Sequence, residues 1–180
     1  MAAAVNAVAE SEMRKSAIME SSLDAIITMT ERGDIIDFNL AAGKLFLADA
    51  SPRLVMLDAA SLEPQATRDL DSPVVSRPQP AGPLVLAELK SGTLIACDVS
   101  KKLEELWRLP LGGAWLAGPA LTEGEQTIIA LTDGRVQWVE SRSGTVAKTI
   151  DLGQQLASGP ERWGALLIVG TQAGTLVVLD

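Results

Sequence analysis

Residues 92–98 read GTLIACD, residues 134–140 read GRVQWVE and residues 174–180 read GTLVVLD. Each is a glycine, a short run rich in apolar residues and a terminal acid. The three glycines, Gly92, Gly134 and Gly174, are nearly evenly spaced. A further copy, PRLVMLD at 52–58, places Pro52 one such step before Gly92. Other anchors keep the same step. Pro78, Pro119 and Pro160 recur evenly, and Leu70, Leu111 and Leu152 precede them at a constant offset. An apolar run stands ahead of each acid-terminated segment: KLFLAD, LVLAEL, TIIALT and LLIVGT.

A step of about 41 residues with several short strands per unit is the spacing of β-propeller blades of four strands each. Helical repeats of similar length need long stretches of helical periodicity, which this region lacks. Short apolar runs fit strands buried on both faces between neighbouring blades. The glycines fall where a turn needs positive φ or a close approach. The terminal acids are placed to accept hydrogen bonds from the backbone of the following turn. The expected fold is mainly β: about four copies of a four-stranded blade over residues 45–180.

Residues 1–46 have another texture. Residues 2–22 are Ala-rich without Gly or Pro, which predicts a helix over 1–22. Ala25–Met29 and Ile35–Phe38 are β-prone and flank the turn signal Glu31-Arg32-Gly33-Asp34, a hairpin pattern over 23–46. After Leu40, AAGKLF (41–46) could begin a helix, or Lys44–Ala48 could be a strand. The first blade copy lacks its inner strand and the last ends with its third. Residues 25–29 and 35–38 could supply the missing outer and inner strands and close a four-blade ring. The rival arrangement is an open half-propeller that pairs with a second copy.

Composition removes several kinds of chemistry. The chain has no His and one Cys, Cys97. His-based triads, Cys–His dyads, His-metal sites and Cys cages are therefore excluded. Cys97, inside TLIACDV, reads as a small core residue. No catalytic, cofactor or metal residues are expected. Net charge is −8, with no Lys/Arg cluster, so neither nucleic acid nor an anionic membrane surface is an expected partner. The sequence shows neither a spanning apolar run nor a secretory leader. A cytoplasmic location is expected, with an exported parent protein left open.

The segments DVSKKLEELWRLPL and ESRSGTVAKTIDL resemble the PQQ-like β-propeller repeat. Gly92, Asp98 and Trp107 match one copy, with one extra residue between the last two. Gly134, Glu140, Ser143 and Gly144 match a second, where Lys148 replaces the Trp. The resemblance implies that Trp107 docks between blades. The quinone enzyme's ligand set and vicinal cysteines are not matched. Trp138 and Trp163 are expected to pack, whereas Trp115 could face a central channel. Residues 16–46 resemble the opening of a PAS sensor domain, through Leu23, Asp24, Ala25, Ile26, Gly33, Ile36, Asn39, Ala41, Ala42, Leu45 and Phe46. So short a piece of such a domain leaves no cofactor pocket.

The leading functional expectation is a non-enzymatic scaffold for protein–protein interaction. Its candidate contact residues are Arg77, Trp115, Glu123, Glu125, Arg142 and Arg162. The alternatives are a PAS-related signalling module dimerising through its N-terminal helix, and an engineered or decayed chimera without evolved activity. A protein partner is expected in the first case and a homodimer in the second.

Overall fold

The computed structural model describes residues 28–29, 35–37, 43–48 and 51–179. The expected helix over 1–22 and most of the PAS-like stretch lie outside these residues. Among those described, every regular element is a β-strand. The chain divides into two compact units, residues 1–45 with 57–64 and residues 46–56 with 65–180.

In the first unit, β1 (Thr28–Met29) and β2 (Ile35–Asp37) pair antiparallel, with a register shift, in a two-stranded sheet of their own. Of the two segments considered for ring closure, 25–29 and 35–38, only residues 28–29 and 35–37 are among those described. The turn after Asp58 is capped as its sequence suggests, since Asp58 Oδ1 accepts the amides of Ala60 and Ser61, each at 3.1 Å. Those amides hold the Asp58 carboxyl below its ordinary pKa.

Four further sheets carry the repeat. Sheet I has three strands, β3 (Lys44–Ala48), β4 (Arg53–Asp58) and β5 (Pro64–Asp69). Lys44–Ala48 thus resolves as a strand. Sheet II has four, β6 (Gln79–Ala81), β7 (Leu84–Leu89), β8 (Thr93–Asp98) and β9 (Glu104–Pro110). Sheet III repeats that order with β10 (Leu121–Glu123), β11 (Gln126–Ala130), β12 (Arg135–Glu140) and β13 (Val146–Asp151). Sheet IV holds β14 (Glu161–Trp163), β15 (Leu166–Gly170) and β16 (Leu176–Leu179). Paired strands in sheets II, III and IV are antiparallel and consecutive in sequence, as short hairpin links require.

The recurring anchors have a physical cause. The amides of Leu70, Leu111 and Leu152 donate to the carbonyls of Pro52, Gly92 and Gly134, at 2.7, 2.9 and 3.0 Å. Any residue with an N–H could make these bonds; leucine recurs because the side chains of Leu111, Leu70 and Leu152 pack in or against the three junction clusters. Past it, the chain makes one bridge to the far end of the next sheet's second strand: Val74 to Leu89, Leu116 to Leu131, Leu156 to Thr171.

Alternate residues of a strand point opposite ways, and in sheets II and III both faces are apolar and packed. On β7, Leu84 and Leu86 join Leu94, Ala96 and Trp107 against Ile129 and Val139 of sheet III. Val85, Ala87 and Leu89 face the other way, with Ile95 and Cys97, against Phe46, Leu54 and Met56 of sheet I. Ile128, Ala130 and Val136 of sheet III pack on Leu167, Val169 and Leu179 of sheet IV.

Two polar devices pin these junctions. Trp107 Nε1 donates to the carbonyl of Ser141 at 2.7 Å, as its expected docking role requires. Its ring lies under Gly144, where a Cβ would come within 2.7 Å and where φ is +71°. Between sheets I and II, Arg68 Nη2 reaches Glu105 Oε2 at 3.0 Å and its Nη1 donates to the Leu103 carbonyl at 3.2 Å. Arg108 binds Glu105 through Nε at 2.7 Å and Asp71 through Nη1 at 2.6 Å.

Trp107→Ala should destabilise the protein by about 3–5 kcal/mol, through the cavity and the orphaned Ser141 carbonyl, read from a urea unfolding midpoint. Gly144→Ala should cost clearly more than Gly153→Ala, which has a similar positive φ of +66° but open space around it. Arg108 and Arg68 hold the Glu105 carboxyl below its ordinary pKa. A depressed folded pKa gives stability that is present above the unfolded value, about 4.3, and lost as pH falls through the lower folded value. Glu105→Gln should therefore flatten the fall of the thermal midpoint below about pH 4.3, and an unchanged acid limb would refute this role.

Candidate interaction surface

The segments that bridge successive sheets carry exposed apolar side chains on firmly held backbone. Val75 and Trp115 are sequence neighbours of the bridging Val74 and Leu116, and both are exposed. Val75 N–H donates to the Glu88 carbonyl at 2.8 Å, Lys90 N–H to the Pro73 carbonyl at 2.8 Å, and Thr132 N–H to the Trp115 carbonyl at 2.9 Å. Trp115 N–H in turn donates to Thr132 Oγ1 at 3.1 Å. Glu88 is the buried acid of an otherwise apolar strand, and its Oε1 accepts the Leu116 amide at 2.7 Å. Val75, Glu88, Lys90 and Trp115 line an open depression of about 420 Å³.

The other candidate residues are dispersed. Arg77 is exposed between β5 and β6, Glu125 in the β10–β11 turn and Arg142 in the β12–β13 turn. Only Glu123 and Arg162 are brought together, as a bidentate ion pair between β10 and β14, and Arg162 Nη1 also donates to the Ala165 carbonyl at 2.9 Å. Arg162 holds the Glu123 carboxyl below its ordinary pKa. The pair staples sheet III to sheet IV and has its hydrogen bonds engaged.

The tryptophans divide. Trp107 is buried and Trp138 half-buried against the III–IV cluster. Trp163, expected to pack, does not: it is 75% exposed, because β14 presents it on a face of sheet IV that no described residue covers. Nothing local in the sequence marks Val75 or Lys90. Glu88 does carry a signal, as an acid inside LVLAEL. Among the described residues, no group of three or more His, Cys, Asp or Glu is placed to hold a metal.

No protein-family model and no curated protein sequence matches the chain. Solved structures do resemble it. BamB from Moraxella catarrhalis superposes with a TM-score of 0.66 at 18% identity, over 86% of this chain and 45% of that one. The computationally designed protein Ika4 gives 0.65 at 13% identity, over 78% and 86%. The fold is β-propeller-like. BBS1N, solved in complex with ARL6DN, gives 0.59 at 15% identity, over 86% and 57%. The chain spans just under half the length of BamB. At these identities the likeness is one of fold.

Cys97 lies in the second blade, fully buried, and burial pushes its thiol up to about 11. Because the thiolate is the nucleophile, Cys97 should react with a thiol reagent at about pH 8 at least about 1,000-fold more slowly in the folded protein than in urea. Comparable rates in the two states would show that the I–II junction opens readily.

Proposed function

We propose that this chain is a non-enzymatic protein-binding scaffold built from PQQ-like propeller repeats, with the depression around Trp115 as its recognition patch. The supporting observation is the pairing of an exposed indole with exposed Val75 on backbone fixed by five hydrogen bonds. An aromatic anchor with an apolar body and one polar N–H is the residue type that dominates protein interfaces. Its rigid seating limits the entropy lost on binding. Glu88 is committed to the Leu116 amide, so Lys90 supplies the polar rim. The propeller-like BBS1N, solved with ARL6DN, supports a protein ligand for such a frame. The acidic balance of −8 argues against a nucleic-acid ligand.

A photo-crosslinking residue placed at 115 should capture a protein that the same residue at 125 or 142 does not. In titration of that protein, Trp115→Ala should weaken binding about 30-fold, the effect of a hot-spot aromatic, with the thermal midpoint unchanged. Equal affinities for wild type and variant would remove the patch from the interface.

A further inference from the structure

We infer that the depression beside Trp115 takes an arginine side chain from the protein partner, with its guanidinium on the indole face and a hydrogen bond to Glu88. Such a contact rests on the scaffold reading above and adds to it the chemistry by which the patch selects its partner.

The repeat supplies its own control. Ala117 N–H donates to the Ala130 carbonyl as Val75 N–H does to that of Glu88. Thr132 N–H donates to the Trp115 carbonyl, and Gln172 N–H to that of Gln155, as Lys90 N–H does to that of Pro73. By this register Val75, Glu88, Lys90 and Trp115 correspond at the next junction to Ala117, Ala130, Thr132 and Gln155. A junction therefore closes with uncharged residues, and without an indole, at all four positions. The lead-in that carries Trp115 departs from its copies as well. It has one residue more between its recurring leucine and its bridge, Leu111 to Leu116 against Leu70 to Val74 and Leu152 to Leu156. Gly112 and Gly113, at φ +69° and +88°, turn the chain just ahead of Trp115. The blade itself demands none of these departures, and they meet in one depression.

Glu88 is the buried member of the four, 4% exposed, and forms the floor. Its Oε1 accepts the Leu116 amide. Among the described residues that is the side chain's one hydrogen bond, so Oε2 is left to an occupant. The buried side-chain atoms without a partner are Arg68 Nε and Ser76 Oγ among the described residues. Oε2 is not one of them and opens on the depression that Glu88 lines. An apolar occupant would cover this oxygen and leave a buried acceptor unpaired, which is unfavourable. The occupant therefore brings a donor.

Arginine meets each requirement. Its guanidinium is planar, weakly hydrated for a cation and able to stack on an indole while an N–H donates to a carboxylate. Its aliphatic stem suits the exposed side chain of Val75. A partner carboxylate would instead meet Glu88 as a like charge, and a chain of net charge −8 draws cations towards it. Lys90, exposed on the rim, opposes a cation, which gives a sign to test.

The test titrates the whole isotope-labelled chain with blocked peptides, acetyl-Gly-X-Gly-amide, in which X is arginine, citrulline or glutamate. The Trp115 indole N–H signal, assigned by its loss in Trp115→Phe, is followed by NMR at low ionic strength. It should shift saturably with the arginine peptide, at about 10 mM for half-saturation. The citrulline peptide, of the same shape but neutral, should bind about 10-fold more weakly, the loss of one charge-assisted hydrogen bond. Glu88→Gln keeps an acceptor for the Leu116 amide and should weaken the arginine peptide about 10-fold too. Lys90→Gln should tighten it about 2-fold, by removing a like charge. Amide signals of β7 and β8 report whether Glu88→Gln keeps the fold, and Lys90→Gln, in an exposed turn, gives the sign independently. No shift at about 100 mM arginine peptide, or equal binding of the citrulline peptide, overturns the inference. So does preference for the glutamate peptide, weaker arginine binding in Lys90→Gln, or an equal shift at the 75% exposed Trp163. A protein captured at 115 whose affinity Glu88→Gln leaves unchanged overturns the arginine contact and leaves the scaffold reading standing. Failure of that capture counts against the scaffold reading alone, since the peptides need no partner.

Discussion

The central sheets II and III are apolar on both sides, and each is packed between two others. β7 shows the constraint in its purest form, with all six residues buried and alternate side chains delivered to two different clusters. A solvated antiparallel sheet would place polar residues on one face. Here the second face is instead a second core, and each fully buried Leu, Ile or Val contributes about 1.5–3 kcal/mol. The even step of the repeat, the short turns and the bridging segments that carry Trp115 all follow from stacking such sheets one on the next.

The junctions share the aliphatic packing but not the polar device that pins it. Trp107 pins II to III, through its indole hydrogen bond and its fit beneath a turn that only glycine leaves open. Arg68 pins I to II, using the carbonyl of Leu103 and the carboxylate of Glu105. At III–IV, Lys148 stands at the repeat position of Trp107 and lies 4.5 Å over the ring of Trp138 in its own blade. A cation–π contact at a partly exposed site is worth about 0.5–1 kcal/mol and spans no junction. The Glu123–Arg162 pair crosses there instead, exposed enough to be screened by salt.

How much of this was legible depended on whether a residue's role is local. The terminal acids were readable because a short Asp side chain reaches the amides of the turn that follows it: Asp98 Oδ1 accepts the Ser100 amide at 2.9 Å. Glu140, one methylene longer, takes the Gln126 side chain instead, at 2.7 Å. The buried roles of Cys97 and Trp107 were readable from an apolar run and from a place in the repeat. The exposure of Trp163 was not, because an aromatic beside a turn carries no mark of whether a neighbour will cover it. Glu123 and Arg162 lie 39 residues apart and meet only because successive blades are stacked in register.

The sequence by itself determined the repeat, its step, its strands and the turns between them. These follow from side-chain alternation and backbone conformation over a few residues, which local chemistry dictates. Only the tertiary structure decided which apolar face is covered and which is bare, and which charges find one another. It also decided that the Trp115 indole shares one depression with Val75 and Lys90. Those outcomes depend on contacts between residues far apart in the chain, and stacking geometry sets them where composition cannot.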